Sequence, residues 1–129
     1  MNAENAQELG RMAEDRAAEY LVSLGWTVLA RNVRNNYGEL DIVAADSDEL
    51  VIVEVRARSD VKVQGPIESI DRRKLRALVR SSKEYMENLG WSGFWRIDVV
   101  GITLGDKKAP GDWELEHVRD ITAGMNILC

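Results

Sequence analysis

Four ionisable residues in the middle of the chain have types and spacing suited to metal-dependent hydrolysis. Glu39 and Asp41 are two positions apart, which places both on one face of an extended strand. Glu54 and Arg56 share a strand face for the same reason. A turn centred on residues 47–48 then puts Asp41 opposite Glu54, with their Cβ atoms about 5 Å apart. The same register puts Glu39 opposite Arg56, so all four side chains form one patch.

This patch is suited to binding a divalent cation. Two opposed carboxylates repel each other, and Glu54 interrupts the apolar segment LVIVEVRA, where an unpaired charge is costly. Mg²⁺ or Mn²⁺ held by Asp41, Glu54 and the Val55 carbonyl would neutralise the charge. Arg56 would offer a fixed positive charge to a phosphate oxygen beside the metal. A metal in this setting generates a hydroxide nucleophile and stabilises the charge that develops during phosphodiester hydrolysis.

A structural cluster of salt bridges is the alternative interpretation of the same residues. Glu39 would pair with Arg56, and Glu54 would pair with Arg56 or with Arg96. Arg96 and Asp98 lie on one face of a later strand, where they brace either the site or each other. Spacing alone leaves both interpretations open.

Basic residues are concentrated beside this patch. The whole chain carries 17 Lys and Arg against 22 Asp and Glu, a net charge of −5. Residues 56–83 hold nine basic and three acidic residues, a local charge of +6, so the remainder carries −11. Arg72, Arg76, Arg80 and Lys83 follow i, i+4, i+8, i+11 spacing along one helix face. Such a row favours contacts with phosphates, which do not read the base sequence. A helix face that is simply exposed to solvent has the same pattern. The predicted nucleic-acid contacts are Arg58, Lys62, Arg72, Lys74, Arg76, Arg80 and Lys83.

The segment just before Glu39 is also polar, and it has two open interpretations. It is either a second contact surface for nucleic acid or an ordinary turn. Its residues are Arg31, Arg34, Asn35, Asn36 and Tyr37.

The elements that must position these residues follow from hydrophobic periodicity. We predict helices over about 4–24 and 70–89, and strands over 26–32, 38–45, 49–57, 94–104 and 113–119. The order α-β-β-β-α-β-β predicts one α/β domain with a mixed five-stranded sheet, whose first three strands form a meander. The loop over 59–69 has two open roles, a flap over the site or a dimer contact.

Composition excludes several classes of site. His117 is the only histidine and Cys129 the only cysteine, which excludes His-rich metal sites, cysteine zinc sites and disulfide frameworks. We expect His117 on the surface of the last strand, and the four tryptophans in packing roles. No apolar run approaches the roughly 20 residues of a membrane span, and the N-terminal segment is acidic where a signal peptide is basic. We therefore expect a soluble, cytoplasmic protein without a membrane partner.

The motif GELDIV at 38–43, followed by VEVRAR at 53–58, resembles the bacterial YraN family. That family has the PD-(D/E)XK nuclease fold and is similar to archaeal Holliday-junction resolvases. The resemblance extends over about residues 9–122 and implies a restriction-endonuclease-like core in a single domain over 1–129. Other matching positions are Gly10, Glu14, Ala17, Tyr20, Leu21, Arg31, Asn32, Lys74 and 96–99.

The resemblance also implies roles for particular residues. By position, Asp41 and Glu54 are ligands of Mg²⁺ or Mn²⁺, and Glu14 is a first-helix carboxylate brought to the metal. Arg56 stands where the superfamily usually has a lysine that positions or polarises the attacking water. A guanidinium does not release its proton near neutral pH, so Arg56 can stabilise charge but cannot act as a general base.

Three hypotheses follow for the function. The first is a metal-dependent endonuclease that binds and cleaves DNA, branched DNA in particular. The second is a catalytically inactive nucleic-acid-binding module that kept the nuclease fold and lost the chemistry through Arg56. The third is an interaction domain in which both charged patches are structural. Resolvase-like relatives commonly dimerise, so a homodimer is a further expectation.

Overall fold

One five-stranded mixed sheet organises the chain. The computed structural model describes residues 3–58, 69–105 and 109–122, with side chains from residue 6 onward. The elements are α1 (Ala3–Ser23), β1 (Thr27–Asn35), β2 (Gly38–Asp46), β3 (Glu49–Arg58), α2 (Arg72–Leu89), β4 (Trp95–Thr103), a short 3-10 helix (Pro110–Asp112) and β5 (Glu114–Val118). The strands lie in sequence order, with β3 and β4 parallel and the other neighbours antiparallel. The predicted α/β class, element order and meander are confirmed.

The register of the β2–β3 hairpin is the one that the sequence predicts. Ala45 pairs with Leu50, and the ladder continues to Ile42 and Val53. Ser47 begins the two-residue turn in the left-handed region, with φ 57°, as a tight hairpin turn requires. Alternation along β3 therefore places Glu54 and Arg56 on one face of the sheet.

The two helices cover opposite faces of the sheet. Ala17 and Leu21 of α1 pack in a buried cluster with Val53 and other strand residues. Leu78 and Val79 of α2 belong to the cluster on the other face. Because both faces are covered, β3 and β4 are built from nearly continuous apolar runs. The charged residues buried in these two strands are therefore informative, and among the described residues they are Glu54 and Asp98.

Local signals set the ends of α2, which carries most of the predicted nucleic-acid contacts. Asp71 is the N-cap, and its side chain accepts a hydrogen bond of 2.7 Å from the Lys74 backbone N–H. Gly90 ends the helix in the left-handed conformation, with φ 74°. The first strand extends to Asn35, beyond the predicted end at residue 32, because it keeps pairing with β2 as far as Gly38.

Other predictions have mixed outcomes. Trp26 and Trp113 are buried in the core cluster under α1, as their predicted packing role requires. The loop over 59–68, Lys62 within it and Cys129 lie outside the described residues. None of the described helices combines the length and apolar character that crossing a membrane requires.

Candidate functional site

Strands β2 and β3 separate beyond the Ile42–Val53 pair, and a polar site lies where they diverge. The Asp41 carboxylate occupies the gap and accepts a hydrogen bond of 2.8 Å from the Val55 N–H. In a strand, the N–H and C=O of one residue point to the same side, so the Val55 carbonyl faces the same gap. We call this site, formed by Asp41, Glu54 and Val55, the strand fork.

Glu54 is the buried acid of the strand fork. Its side chain is only 3% exposed, and its carboxyl group is within hydrogen-bonding reach of the Asp41 carboxyl. Burial, and after it the hydrogen bond and charge of Asp41, raise the pKa of Glu54 to about 8, against the ammonium of Lys74. The Glu54 carboxyl therefore retains its proton at neutral pH, and a bound cation would have to displace that proton.

Glu14 approaches Asp41 from α1. Burial raises the pKa of Glu14, the charges of Asp41 and Glu39 act in the same direction, and Arg31 opposes them. Asn32 links the acids, since its amide nitrogen, in the orientation that satisfies both, donates to Glu14 at 2.9 Å and to Glu39 at 3.1 Å. Glu14 thus lies near enough to Asp41 for their charges to interact, and its role at a bound metal stays a prediction.

Asn32 is a site residue whose role the sequence left unspecified. It has φ 53°, in the left-handed region that asparagine tolerates better than most residues. In the β1–β2 ladder, Arg31 pairs with Ile42 and Val33 pairs with Leu40. Asn32 and Asp41 lie between these two pairs and are not paired with each other. In the sequence, Asn32 is marked only as one of the positions that match the family, and that match assigns it no chemical role.

Lys74 is the cation of the strand fork. Its Nζ lies 3.2 Å from Glu54 Oε2, although the sequence analysis groups it with residues that contact a nucleic-acid backbone. The side chain is 45% exposed, so the ammonium also faces solvent. A lysine from α2 therefore stands beside the buried acid, where the resemblance led us to expect the residue at position 56.

Arg56 has different partners from those predicted. Its Nε donates to Ser69 Oγ at 2.9 Å, and a terminal nitrogen donates to the Ser69 carbonyl at 3.3 Å. Glu39 lies 3.8 Å from Arg34 instead of pairing with Arg56. The predicted salt bridges of Arg56 with Glu39 or Glu54 are wrong for the described part of the chain, because the guanidinium donates instead to Ser69, just before α2.

Arg96 and Asp98 brace each other and lie away from the strand fork. Arg96 Nε donates to Asp98 Oδ1 at 2.9 Å, and the same guanidinium bonds Glu49 and Asp46 beside the β2–β3 turn. The alternative pairing of Arg96 with Glu54 is therefore wrong, since Glu54 bonds Lys74 on the opposite sheet face. Of the two predicted roles for Arg96 and Asp98, mutual bracing is confirmed.

His117 corrects another expectation. Its side chain is only 6% exposed, with Nε2 2.8 Å from Asp98 Oδ2 and Nδ1 2.9 Å from the Tyr20 hydroxyl. The expected surface position is wrong, because β5 pairs with β4 and turns this residue under α1. His117 thus belongs to the Asp98 cluster and not to a metal site.

The predicted basic residues separate into groups. Arg72, Arg76 and Arg80 are exposed on α2, as predicted. Arg58 donates to Thr103 Oγ1 at 2.9 Å, next to β4. Lys83 lines a surface hollow together with Glu84 and Glu87, so its surroundings are less basic than those of the arginines.

The strand fork contains two kinds of oxygen ligand, carboxylate and backbone carbonyl. Among the described residues, no three Asp, Glu, His or Cys side chains stand close enough to hold a metal together. Two carboxylates and a backbone carbonyl are the ligands that Mg²⁺ uses when water and substrate phosphate complete its shell. The raised pKa of Glu54 indicates that a positive charge placed beside it would be stabilised.

Comparison with known proteins places the chain in a family. Residues 13–102 match the model of the uncharacterised protein family UPF0102. A UPF0102 protein of Marinobacter nauticus is 42% identical over 106 residues, 81% of this chain and 86% of its own length. UPF0102 proteins of Rhodococcus jostii (40% over 114 residues, 87% and 93%) and Herpetosiphon aurantiacus (36% over 125 residues, 93% and 98%) are also similar. The chain therefore belongs to the UPF0102 family, also called YraN, as its motifs predict.

Proposed function

We propose that the protein is a divalent-metal-dependent endonuclease that acts on branched DNA. The observation that carries the proposal is the strand fork, where the buried Glu54 carboxyl meets Asp41 and retains a proton at neutral pH. Burying two carboxyl groups side by side costs free energy, which the Lys74 ammonium and the retained proton of Glu54 offset in part. Acids with strongly raised pKa values beside a cation are typical of functional sites.

Asp41, Glu54 and the Val55 carbonyl would hold Mg²⁺ or Mn²⁺, which acts as a Lewis acid and lowers the pKa of bound water. The chain's own residues prepare that site. The Val55 N–H fixes one oxygen of Asp41, which leaves the other oxygen for the cation. Lys74 holds a positive charge at Glu54 Oε2, and it stabilises the ionised form that a cation requires.

Glu14 is the residue best placed to exchange a proton at the strand fork. Its raised pKa follows from burial and from the charge of Asp41, and a carboxylate with a raised pKa is a better proton acceptor near neutral pH. Asn32 orients it through the 2.9 Å hydrogen bond. Arg56, tied to Ser69, orders the chain that enters α2.

A non-catalytic nucleic-acid-binding module is the second candidate. The observation that favours it is that Glu54 already has two sources of neutralisation, its retained proton and the Lys74 ammonium. In that case the fold and the basic face of α2 keep their use, and the strand fork takes up no metal.

Cleavage assays separate the two candidates. Plasmid, flap and four-way-junction DNA are incubated with Mg²⁺ or Mn²⁺ and with wild type, Asp41→Asn, Glu54→Gln or Glu116→Gln, the last an exposed acid of β5. We expect wild type and Glu116→Gln to cleave the branched substrates and both fork variants to lose at least about 100-fold of the rate.

The controls define what would contradict the proposal. Cleavage that survives in both fork variants would come from another protein in the preparation. Absent cleavage, together with Mn²⁺ binding that is the same in wild type and Glu54→Gln, would contradict the metal-dependent nuclease. Binding is measured by electron paramagnetic resonance of free Mn²⁺.

A further inference from the structure

A basic hollow lies between α2 and the turn that joins β1 to β2. It has a volume of about 330 Å³, near the lower end of the range for small-ligand pockets. The residues that line it are Asn36, Tyr37, Arg73, Arg76, Ala77 and Arg80. We call it the arginine hollow.

Three arginines form one row along the wall of the arginine hollow. Arg73, Arg76 and Arg80 follow i, i+3, i+7 spacing, which places them on one helix face. All three residues are exposed, and none of them forms an ion pair with another described residue. Exposed guanidinium groups in a row are an arrangement that the phosphates of a nucleic-acid strand neutralise.

Tyr37 supplies an aromatic surface on the opposite wall. It is 50% exposed, and the Arg80 guanidinium lies over one face of the ring, 6.0 Å from its centre, so a base would stack on the other face. An exposed aromatic face beside arginines is the platform on which unpaired bases stack. Paired bases in a duplex keep their faces covered by their neighbours, so a duplex gains nothing from this ring.

The turn that carries Tyr37 is fixed against α2. The Asn35 amide donates to the Ser81 carbonyl at 2.9 Å, and Asn36 donates to the Glu84 carboxylate through its backbone N–H at 3.2 Å and its amide at 2.9 Å. Gly38 has φ 153°, and a Cβ there would lie 3.3 Å from Ser81 Oγ. The platform is therefore held in place before any ligand arrives, which lowers the entropic cost of binding.

The arginine hollow and the strand fork both use residues of the first turn of α2. Arg73 lines the hollow, and Lys74, the next residue, contacts Glu54. We propose that the arginine hollow binds an unpaired DNA strand, with phosphates on Arg73, Arg76 and Arg80 and one base stacked on Tyr37. The inference rests on the proposed function, and it names the single-stranded arm of a branched substrate as the part that is recognised.

The test is binding without metal, so that it does not depend on cleavage. Fluorescence anisotropy in EDTA compares a labelled 12-nucleotide oligothymidine with a 12-base-pair duplex, for wild type, Tyr37→Ala, Tyr37→Phe, the double variant Arg76→Gln/Arg80→Gln, and Arg11→Gln on α1. We expect Tyr37→Ala to weaken oligothymidine binding by about 5- to 150-fold. Tyr37→Phe keeps the ring and should stay within about twofold of wild type.

The other variants sharpen the result. Removing two arginines should lower the slope of log affinity against log salt by about 1.4 for the single strand, whereas Arg11→Gln leaves it unchanged. Duplex affinity should be the same in wild type and Tyr37→Ala.

Three results would overturn the inference: no binding of oligothymidine, equal affinity of Tyr37→Ala and wild type, or equal losses for single strand and duplex. A thermal melt of each variant confirms folding, and Tyr37→Phe and the arginine pair remain informative if Tyr37→Ala unfolds. If the hollow does not bind oligothymidine but cleavage still depends on Asp41 and Glu54, the proposed function stands without this inference. If oligothymidine binds as expected but no cleavage occurs, only the binding site stands.

Discussion

Glu54 and Asp98 are buried acids on neighbouring parallel strands, and their pKa values are shifted in opposite directions. Asp98 is paired with Val53 in the register of β3 and β4, one position from Glu54, so the two acids lie on opposite faces. Burial alone would raise the pKa of Asp98, but hydrogen bonds from His117, Arg96 and the Asp120 N–H outweigh it and lower the pKa. Glu54 has the opposite shift, to about 8.

The difference lies in the number of donors that each carboxylate receives. Asp98 accepts bonds of 2.8 Å from His117, 2.9 Å from Arg96 and 2.9 Å from the Asp120 N–H, so its ionised form is fully solvated by protein. Glu54 has one ammonium at 3.2 Å and a neighbouring acid. A buried carboxylate with several donors is held in its ionised form, whereas a buried carboxyl that keeps its proton can exchange that proton for a metal ion. Burial alone therefore does not tell a structural acid from a functional one. The number of hydrogen-bond donors around the carboxylate does.

The largest expected effect is on stability, at Asp98. Asp98→Ala removes the acceptor for His117, Arg96 and Asp120, and we expect the free energy of unfolding to fall by about 3–5 kcal/mol. Asp98→Asn, which keeps an acceptor oxygen, should lose less. Urea denaturation monitored by tryptophan fluorescence measures both. A loss below about 1 kcal/mol in Asp98→Ala would mean that the cluster is not structural, and the contrast with Glu54 would fail.

The second expected effect is a dependence of stability on pH that belongs to Glu54. Its pKa in the folded protein, about 8, lies above the ordinary 4.5, so the folded state binds the proton more tightly than the unfolded state. The stability from this proton is fully present below about pH 4.5 and is lost as the pH rises through about 8. The loss is on the order of a few kcal/mol, and Asp98, with a lowered pKa, acts in the opposite direction on the acid side.

Glu54→Gln tests that dependence, because the amide mimics the protonated acid and does not ionise. We expect the decline in the free energy of unfolding between pH 5 and pH 8.5 to flatten in Glu54→Gln and to persist in Glu116→Gln. Urea denaturation at five pH values without divalent metal provides the measurement. Equal declines in wild type and Glu54→Gln would show that another group titrates in this range.

The sequence predicted that Asp41 and Glu54 lie near each other because the geometry is local. The hairpin register depends on side-chain alternation and on a two-residue turn, and it holds as far as the Ile42–Val53 pair, where the strands then separate. The burial of His117 was also encoded locally, since Trp113, Leu115 and His117 alternate with Glu114 and Glu116, although the flanking acids suggested a surface position.

The contacts that the sequence did not predict all join separate elements. Lys74 reaches Glu54 because of the angle at which α2 crosses the sheet, and Arg56 bonds Ser69 because of the path of the chain before that helix. Helical periodicity places Lys74 on a face of α2 but carries no information about which strand residue that face meets. That Lys74 contacts Glu54, whereas Arg56 contacts Ser69, is therefore visible only in the folded chain.

The smallest expected effect separates these two cations. Lys74→Met removes the ammonium that lowers the pKa of Glu54, so that pKa should rise further, whereas Arg56→Met leaves it within error because the guanidinium bonds Ser69. The stability cost of losing the Lys74–Glu54 pair should stay below about 1 kcal/mol, since the lysine is 45% exposed. Carbon-13 NMR titration of the Glu54 carboxyl measures the shift directly. An unchanged titration in Lys74→Met, or a larger shift in Arg56→Met, would return the role of the fork's cation to Arg56 and remove Lys74 from the site.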